Sequence, residues 1–172
     1  NHLAAAMIQR PLTAAALAAA LFIAACGGQS EAEMLASART YIDKKDHRAA
    51  AIQLKSLLQK NGQLGEARYL LGRSLLEQGD VNAAVLELRK AADLKFDPTK
   101  VTPPLAKAML ALGEHGPVTG QFASVRLPDA AAQAELSVVV ASAFLAQQQT
   151  EQGEAAIAEA LKAVPQYPPA LL

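Results

Sequence analysis

Three observations predict an all-α chain built as a solenoid of stacked antiparallel helix pairs. Alanine and leucine dominate the 172 residues, which are 52% hydrophobic, 4% aromatic and free of tryptophan. That bias favours residues of high helix propensity. A pattern of small and large apolar residues recurs every thirty-four positions from Glu31 onward. Helix-capping and helix-stopping residues fall at the boundaries that this period sets.

Residues 1–6 (NHLAAA) precede Met7, read as the translation start, and are set aside as an extension. From Pro11 to Cys26 the chain carries no charge, after Arg10 and before Gly27-Gly28. The run is sixteen residues long, short of the roughly 20 that span a bilayer. A basic start, an apolar middle and a small-residue exit have the order of a secretory leader, so residues 7–25 are expected to be a signal-peptide helix. Its exit, Ile23-Ala24-Ala25-Cys26, resembles the bacterial lipobox. The resemblance implies a diacylglycerol on the Cys26 thiol, cleavage before Cys26 and an N-acyl chain on the new amino group. Several acyl chains anchor firmly where one does not. The plainer alternative is ordinary signal-peptidase cleavage after Ala25. Residues 26–30 form a short tether, and Gly27 in place of aspartate leans, by the same resemblance, towards the outer membrane.

Repeat 1 (residues 31–64) aligns on repeat 2 (65–98) with Ala38 on Gly72, Tyr41 on Leu75, Asp46 on Asp80, Ala50 on Ala84 and Leu54 on Leu88. Repeat 3 (99–133) continues with Ala106, Met109 and Gly113. Repeat 4 (134–167) follows one residue out of phase, with Ala141, Phe144, Ile157, Ala160 and Pro165. Small residues sit where helices cross closely, and large apolar ones fill the gaps between units. This pattern resembles the tetratricopeptide repeat, two antiparallel helices per unit in a right-handed superhelix. Ser30 and Glu33 have capping-box spacing. Asp46 and Asp80 are placed to cap second helices. Asn61-Gly62 reads as a stop and Asp97-Pro98 as a break. Repeat 3 is expected to be irregular, with Pro103-Pro104 near its start, Gly116-Pro117 and Gly120 thinning a second helix that runs to about Val125, and a turn at Leu127-Pro128-Asp129. Residues 168–172 read as the start of a fifth unit in a longer array.

The lipobox, the run AIQLKSLLQKNGQLGEARYLLGRSLLEQGDVNAAVLELRKA (Ala51 to Ala91) and the following DPTKVTPPLAKAMLALGE together resemble the N-terminus of TPR-repeat lipoproteins of the PEP-CTERM/exosortase systems. The resemblance covers the chain from Met7 onward. It implies a scaffold at the periplasmic face of a Gram-negative envelope, acting in exopolysaccharide assembly or export and in protein sorting. A repeat lipoprotein of outer-membrane assembly or pilus biogenesis is an alternative. Another is an envelope enzyme or glycan-binding protein whose active domain lies further along.

Sixteen basic and sixteen acidic residues cancel, which gives no bulk attraction to nucleic acid. One cysteine excludes an internal disulfide framework or a cysteine zinc cage. Neither a phosphate loop nor a hydrolase or zinc-protease motif is present, so the chain reads as non-enzymatic, with no cofactor beyond the acyl groups and no small-molecule substrate. His47 and His115 are expected in solvated turns. One pattern points to a protein partner. Stacked first helices line a concave groove, and their ninth positions are Arg39, Arg73 and Lys107. Beside them at the fifth position lie Leu35, Tyr69, Pro103 and Val138. A ladder of cations over an apolar strip suits a segment bearing acidic groups or a terminal carboxylate. The competing reading is a solvated helix face, balanced by Asp43, Glu66 and Glu77.

Overall fold

The computed structural model describes residues 29–170. The expected leader, Cys26 and most of the tether lie outside the described residues. Among the described residues eight helices form four antiparallel pairs: α1 (Glu31–Asp43) with α2 (His47–Lys60), α3 (Gly65–Glu77) with α4 (Val81–Asp93), α5 (Pro98–Ala111) with α6 (His115–Phe122), and α7 (Ala130–Ala146) with α8 (Thr150–Ala163). A 3₁₀ turn, Pro168–Ala170, follows. The second helix of each pair packs on the first helix of the next, and consecutive first helices α1, α3, α5 and α7 meet in series. The described unit is thus a solenoid of stacked helix hairpins.

The turns show how sequence sets this geometry. In each pair the first helix ends with one residue in the left-handed region: Lys45 (φ 62°), Gly79 (φ 81°), Gly113 (φ 75°) and Gln148 (φ 61°). The next residue closes the turn through its backbone N–H, as Asp46 does on the Tyr41 carbonyl (2.9 Å) and Asp80 on that of Leu75 (3.0 Å). This pairing satisfies carbonyls that the helix end would otherwise leave without donors. The same aspartates then open the second helices. Asp46 Oδ1 accepts from the Ala49 N–H (3.0 Å) and Asp80 Oδ1 from that of Ala83 (3.2 Å). One residue therefore ends one helix and starts another, which keeps the hairpin turns short.

Two expectations shift. The fourth pair opens at Ala130, ahead of the recurrence, because Asp129 caps it by accepting from the Ala132 N–H at 2.8 Å. The second helix of the third pair stops at Phe122, where Gly116, Pro117 and Gly120 weaken helix formation. Pro103 and Pro104 lie inside α5. Each removes a helix N–H, so the carbonyls of Thr99 and Lys100 lack their usual donors four residues on.

The core is divided among neighbours. One cluster joins α1 and α2 to α3 through Met34, Leu54, Leu57, Leu71 and Leu75. A second joins α4 to the last two pairs through Val85, Leu88, Met109, Val118 and Leu136. Leu54, Leu88 and Met109, placed in the gaps by the repeat alignment, are fully buried. Polar staples reinforce two of the three seams. Gln78 Nε2 donates to the His47 carbonyl (3.1 Å), and Gln147 Nε2 to the His115 carbonyl (3.2 Å). At the middle seam Leu112 takes the place of this glutamine, and an Arg89–Glu114 ion pair (2.9 Å) bridges the units instead. Among the described residues no helix is long and apolar enough to cross a membrane.

Candidate partner-binding groove

The first helices meet along one face, and a cleft of about 570 Å³ opens between α3 and α5, with Glu135 of α7 at its margin. Tyr69 and Arg73 line it from α3, Pro103 and Lys107 from α5. These four residues of the ninth- and fifth-position columns are brought together. The others are not. Arg39 pairs with Glu66 of the next repeat at 2.6 Å, Leu35 packs half-buried against the core of the first two pairs, and Val138 packs against the apolar cluster of the last pair. The cationic column ends at the fourth pair, where Ser142 donates to its own helix at the Val138 carbonyl (3.0 Å).

The cleft wall is aromatic and cationic. Arg73 Nη1 donates to Tyr69 Oη at 3.0 Å, with the guanidinium carbon 5.9 Å from the ring centroid. The Tyr69 and Phe96 rings lie 5.4 Å apart and tilted by 32°, which braces the tyrosine. Lys107 makes no hydrogen bond or ion pair among the described residues. The sequence reading missed Lys100, which lies two turns before Lys107 on α5 and also lines the cleft. Asp97 engages it loosely at 3.7 Å, and hydrogen bonds from Thr99, with the Lys100 charge, hold the Asp97 carboxyl below its ordinary value. Glu77 and Glu135 bring acid to the same lining. Three cations thus face two carboxylates: a mixed surface with a cationic excess. Glu135 also acts beyond the cleft. Burial, then the Glu135 charge, pushes the Tyr167 phenol up.

An extended segment lying here would meet apolar and cationic groups together. The histidines differ from expectation. His47 and His115 are the first residues of α2 and α6 and are half-buried, not solvated in turns. Among the described residues no group of three or more His, Cys, Asp or Glu side chains could hold a metal ion.

No family model and no curated protein matches the chain. Solved structures do. YrrB, described as a TPR protein with an unusual peptide-binding site, superposes with a TM-score of 0.73 at 18% identity, over 83% of this chain and 73% of its own. The MamA RS-1 ArsTM double mutant superposes with a TM-score of 0.66 at 17% identity, over 81% and 78%. At these identities the likeness is one of fold. The chain has the tetratricopeptide-type helical-repeat fold.

Proposed function

We propose that the chain is a non-enzymatic scaffold that grips an extended, acidic segment of a protein partner along its first helices. The observation that carries this reading is the cleft in which Tyr69 and Pro103 offer apolar surface while Arg73 and Lys107 offer cations. The peptide-binding site attributed to YrrB, a protein of like fold, supports it. The test is selection of displayed random twelve-residue peptides on the full chain. Acidic sequences should be enriched. Arg73→Glu with Lys107→Glu should weaken their capture at least about tenfold, with helicity and melting unchanged. Undiminished capture overturns the reading.

The finer reading rests on the sequence resemblance. The repeats extend as a right-handed superhelix, and Cys26 carries a diacylglycerol and an N-acyl chain. The scaffold then sits at the periplasmic face of the envelope, by preference on the outer membrane, and serves exopolysaccharide assembly or export and PEP-CTERM protein sorting. Mass spectrometry of the processed protein from membranes should find an N-terminal, triacylated cysteine. A bare thiol there removes the anchor from the account.

A further inference from the structure

The second helices of the first two hairpins carry a surface feature of their own. Helix α3 packs on both α2 and α4, and a furrow of about 310 Å³ opens between those two. Lys55 and Leu58 line it from α2, Leu71 and Leu75 from α3, and Ala83 and Leu86 from α4. It shares no lining residue with the cleft between α3 and α5. Leu71 and Leu75 are nearly buried and form its floor, whereas Leu86 stands 54% exposed at its edge. Ile52 holds the Leu86 slot thirty-four residues earlier and is 60% exposed. Ile52, Lys55 and Gln59 follow one another at i, i+3 and i+7 along one side of α2, and the last two line the furrow. Gly120 holds the same slot in the third pair, so the row of large apolar residues ends at Leu86. An apolar recess with large exposed side chains along its margin marks a contact surface, where a lone exposed leucine would not.

Most polar groups of the furrow are already engaged. Arg68 divides its donors between Glu87 and the Gly62 carbonyl, and Lys90 holds the other Glu87 oxygen. An extended backbone laid here would give up water for a wall of leucine and alanine, leaving N–H and C=O groups unpaired. A helix keeps its backbone bonds within itself and enters such a furrow without that loss. An apolar space of about 150 Å³ takes a benzene ring, so this one has room for two large apolar side chains. Charge selects what flanks them. Among the described residues Glu87 is the one carboxylate lining the furrow, and two cations share it. Lys55 makes no hydrogen bond or ion pair among the described residues, and neither does Arg48, one turn before Ile52. A second copy of this chain would set the same cations against each other. A bilayer would cover the tips of Ile52 and Leu86 and leave the floor empty. We propose that the furrow docks an amphipathic helix of a protein partner, its large apolar side chains seated between α2 and α4 and its flanking acids paired with Lys55 and Arg48.

The full chain and its Leu86→Gln variant are each panned against displayed single helices about fifteen residues long, randomised along one face. Glutamine keeps helix propensity at this exposed position, and circular dichroism checks that the variant is folded. Wild type should enrich helices with Leu or Phe at i, i+3 or i+4, and i+7, flanked by Asp or Glu. Leu86→Gln should not. The strongest of these helices, made as a free peptide, should bind wild type about tenfold more tightly than Leu86→Gln and about fivefold more tightly than Lys55→Glu. It should bind the Arg73→Glu, Lys107→Glu double variant as well as wild type, which separates this surface from the groove. Equal enrichment on both chains, basic or uncharged flanks, or binding lost with the groove cations would overturn the proposal. So would the absence of any enriched helix, and two measurements would then name the occupant. Vesicles of phosphatidylserine and phosphatidylcholine in equal parts that retain wild type but not Leu86→Gln would make the face a lipid contact. A concentration-dependent dimer that Leu86→Gln abolishes would make it a contact between copies of the chain.

Discussion

Gly72→Val is expected to lower the unfolding free energy by about 3 kcal/mol, at the upper end of overpacking costs. Gly72 is buried where α3 crosses α4. A Cβ added there would lie 2.6 Å from Leu88 Cγ and 3.3 Å from the Ala84 carbonyl oxygen. Cγ is the branch point of a fully buried leucine, not a free end that can swing away. Valine would force the two helices apart and disturb Leu88, which belongs to the core of the last two pairs as well as its own. Propensity works in the opposite direction, since a helical glycine costs about 1 kcal/mol relative to alanine. Gly120 isolates that effect. It is helical and exposed, and a Cβ there meets nothing within 4 Å. Gly120→Ala should therefore stabilise by about 1 kcal/mol. Urea denaturation of both variants checks the contrast. A harmless Gly72→Val would mean that the crossing has slack the structure does not show.

Arg68→Met is expected to cost about 2 kcal/mol, because it leaves a largely buried carboxylate with Lys90 as its one remaining cation. Arg68 Nη1 donates to Glu87 Oε2 at 2.6 Å, and its Nε and Nη2 donate to the Gly62 carbonyl at 3.2 and 3.1 Å. Lys90 holds the other Glu87 oxygen at 3.0 Å. Side-chain exposure is 18% for Arg68 and 11% for Glu87, so water replaces the lost partner only in part. A double variant, Arg68→Met with Glu87→Met, should recover most of the loss, since buried ion pairs give little net stability over apolar packing. The acid limb carries the sign. Burial alone would raise the Glu87 carboxyl, but hydrogen bonds and charge from Arg68 and Lys90 outweigh it and hold it below 4.5. A folded-state value depressed in this way contributes stability that is complete above the ordinary value and lost as pH falls through the folded one. The stability advantage of wild type over Glu87→Gln should therefore shrink below pH 4.5. An advantage that stays constant with pH would remove the electrostatic account.

Much of the fold was legible because repetition amplifies weak signals. Ala38, Gly72 and Ala106 share a slot, and all three are buried at helix crossings. Asp46 and Asp80 could be read as caps because few other side chains reach a free N–H from that position. The start of α7 was not legible. Ala130–Ala146 contains one charged residue, Glu135, and its Ala and Val positions run around the whole helix, so no amphipathic edge marks where it begins. The cation column could be read from spacing alone, and Glu66 could be named among the acids balancing it, but which cation it pairs with could not. The partner of Arg39 is Glu66, twenty-seven residues away and in the next unit. Pairing across a seam depends on how the hairpins stack, which local sequence does not encode. The same holds for the furrow beside Leu86, which exists only where α2, α3 and α4 meet.

The second hairpin lends α3 to one core cluster and α4 to the other. In a one-dimensional stack, a unit covered on both flanks is the last to come undone. Opening of the first hairpin uncovers one side of α3 but leaves Val85 and Leu88 of α4 seated, and opening of the third hairpin does the reverse. Tyr69 and Arg73 ride on this unit. Half of the recognition surface therefore stays held from one side while either neighbouring hairpin melts and re-forms, so capture of a passing segment does not have to wait for every hairpin to be closed.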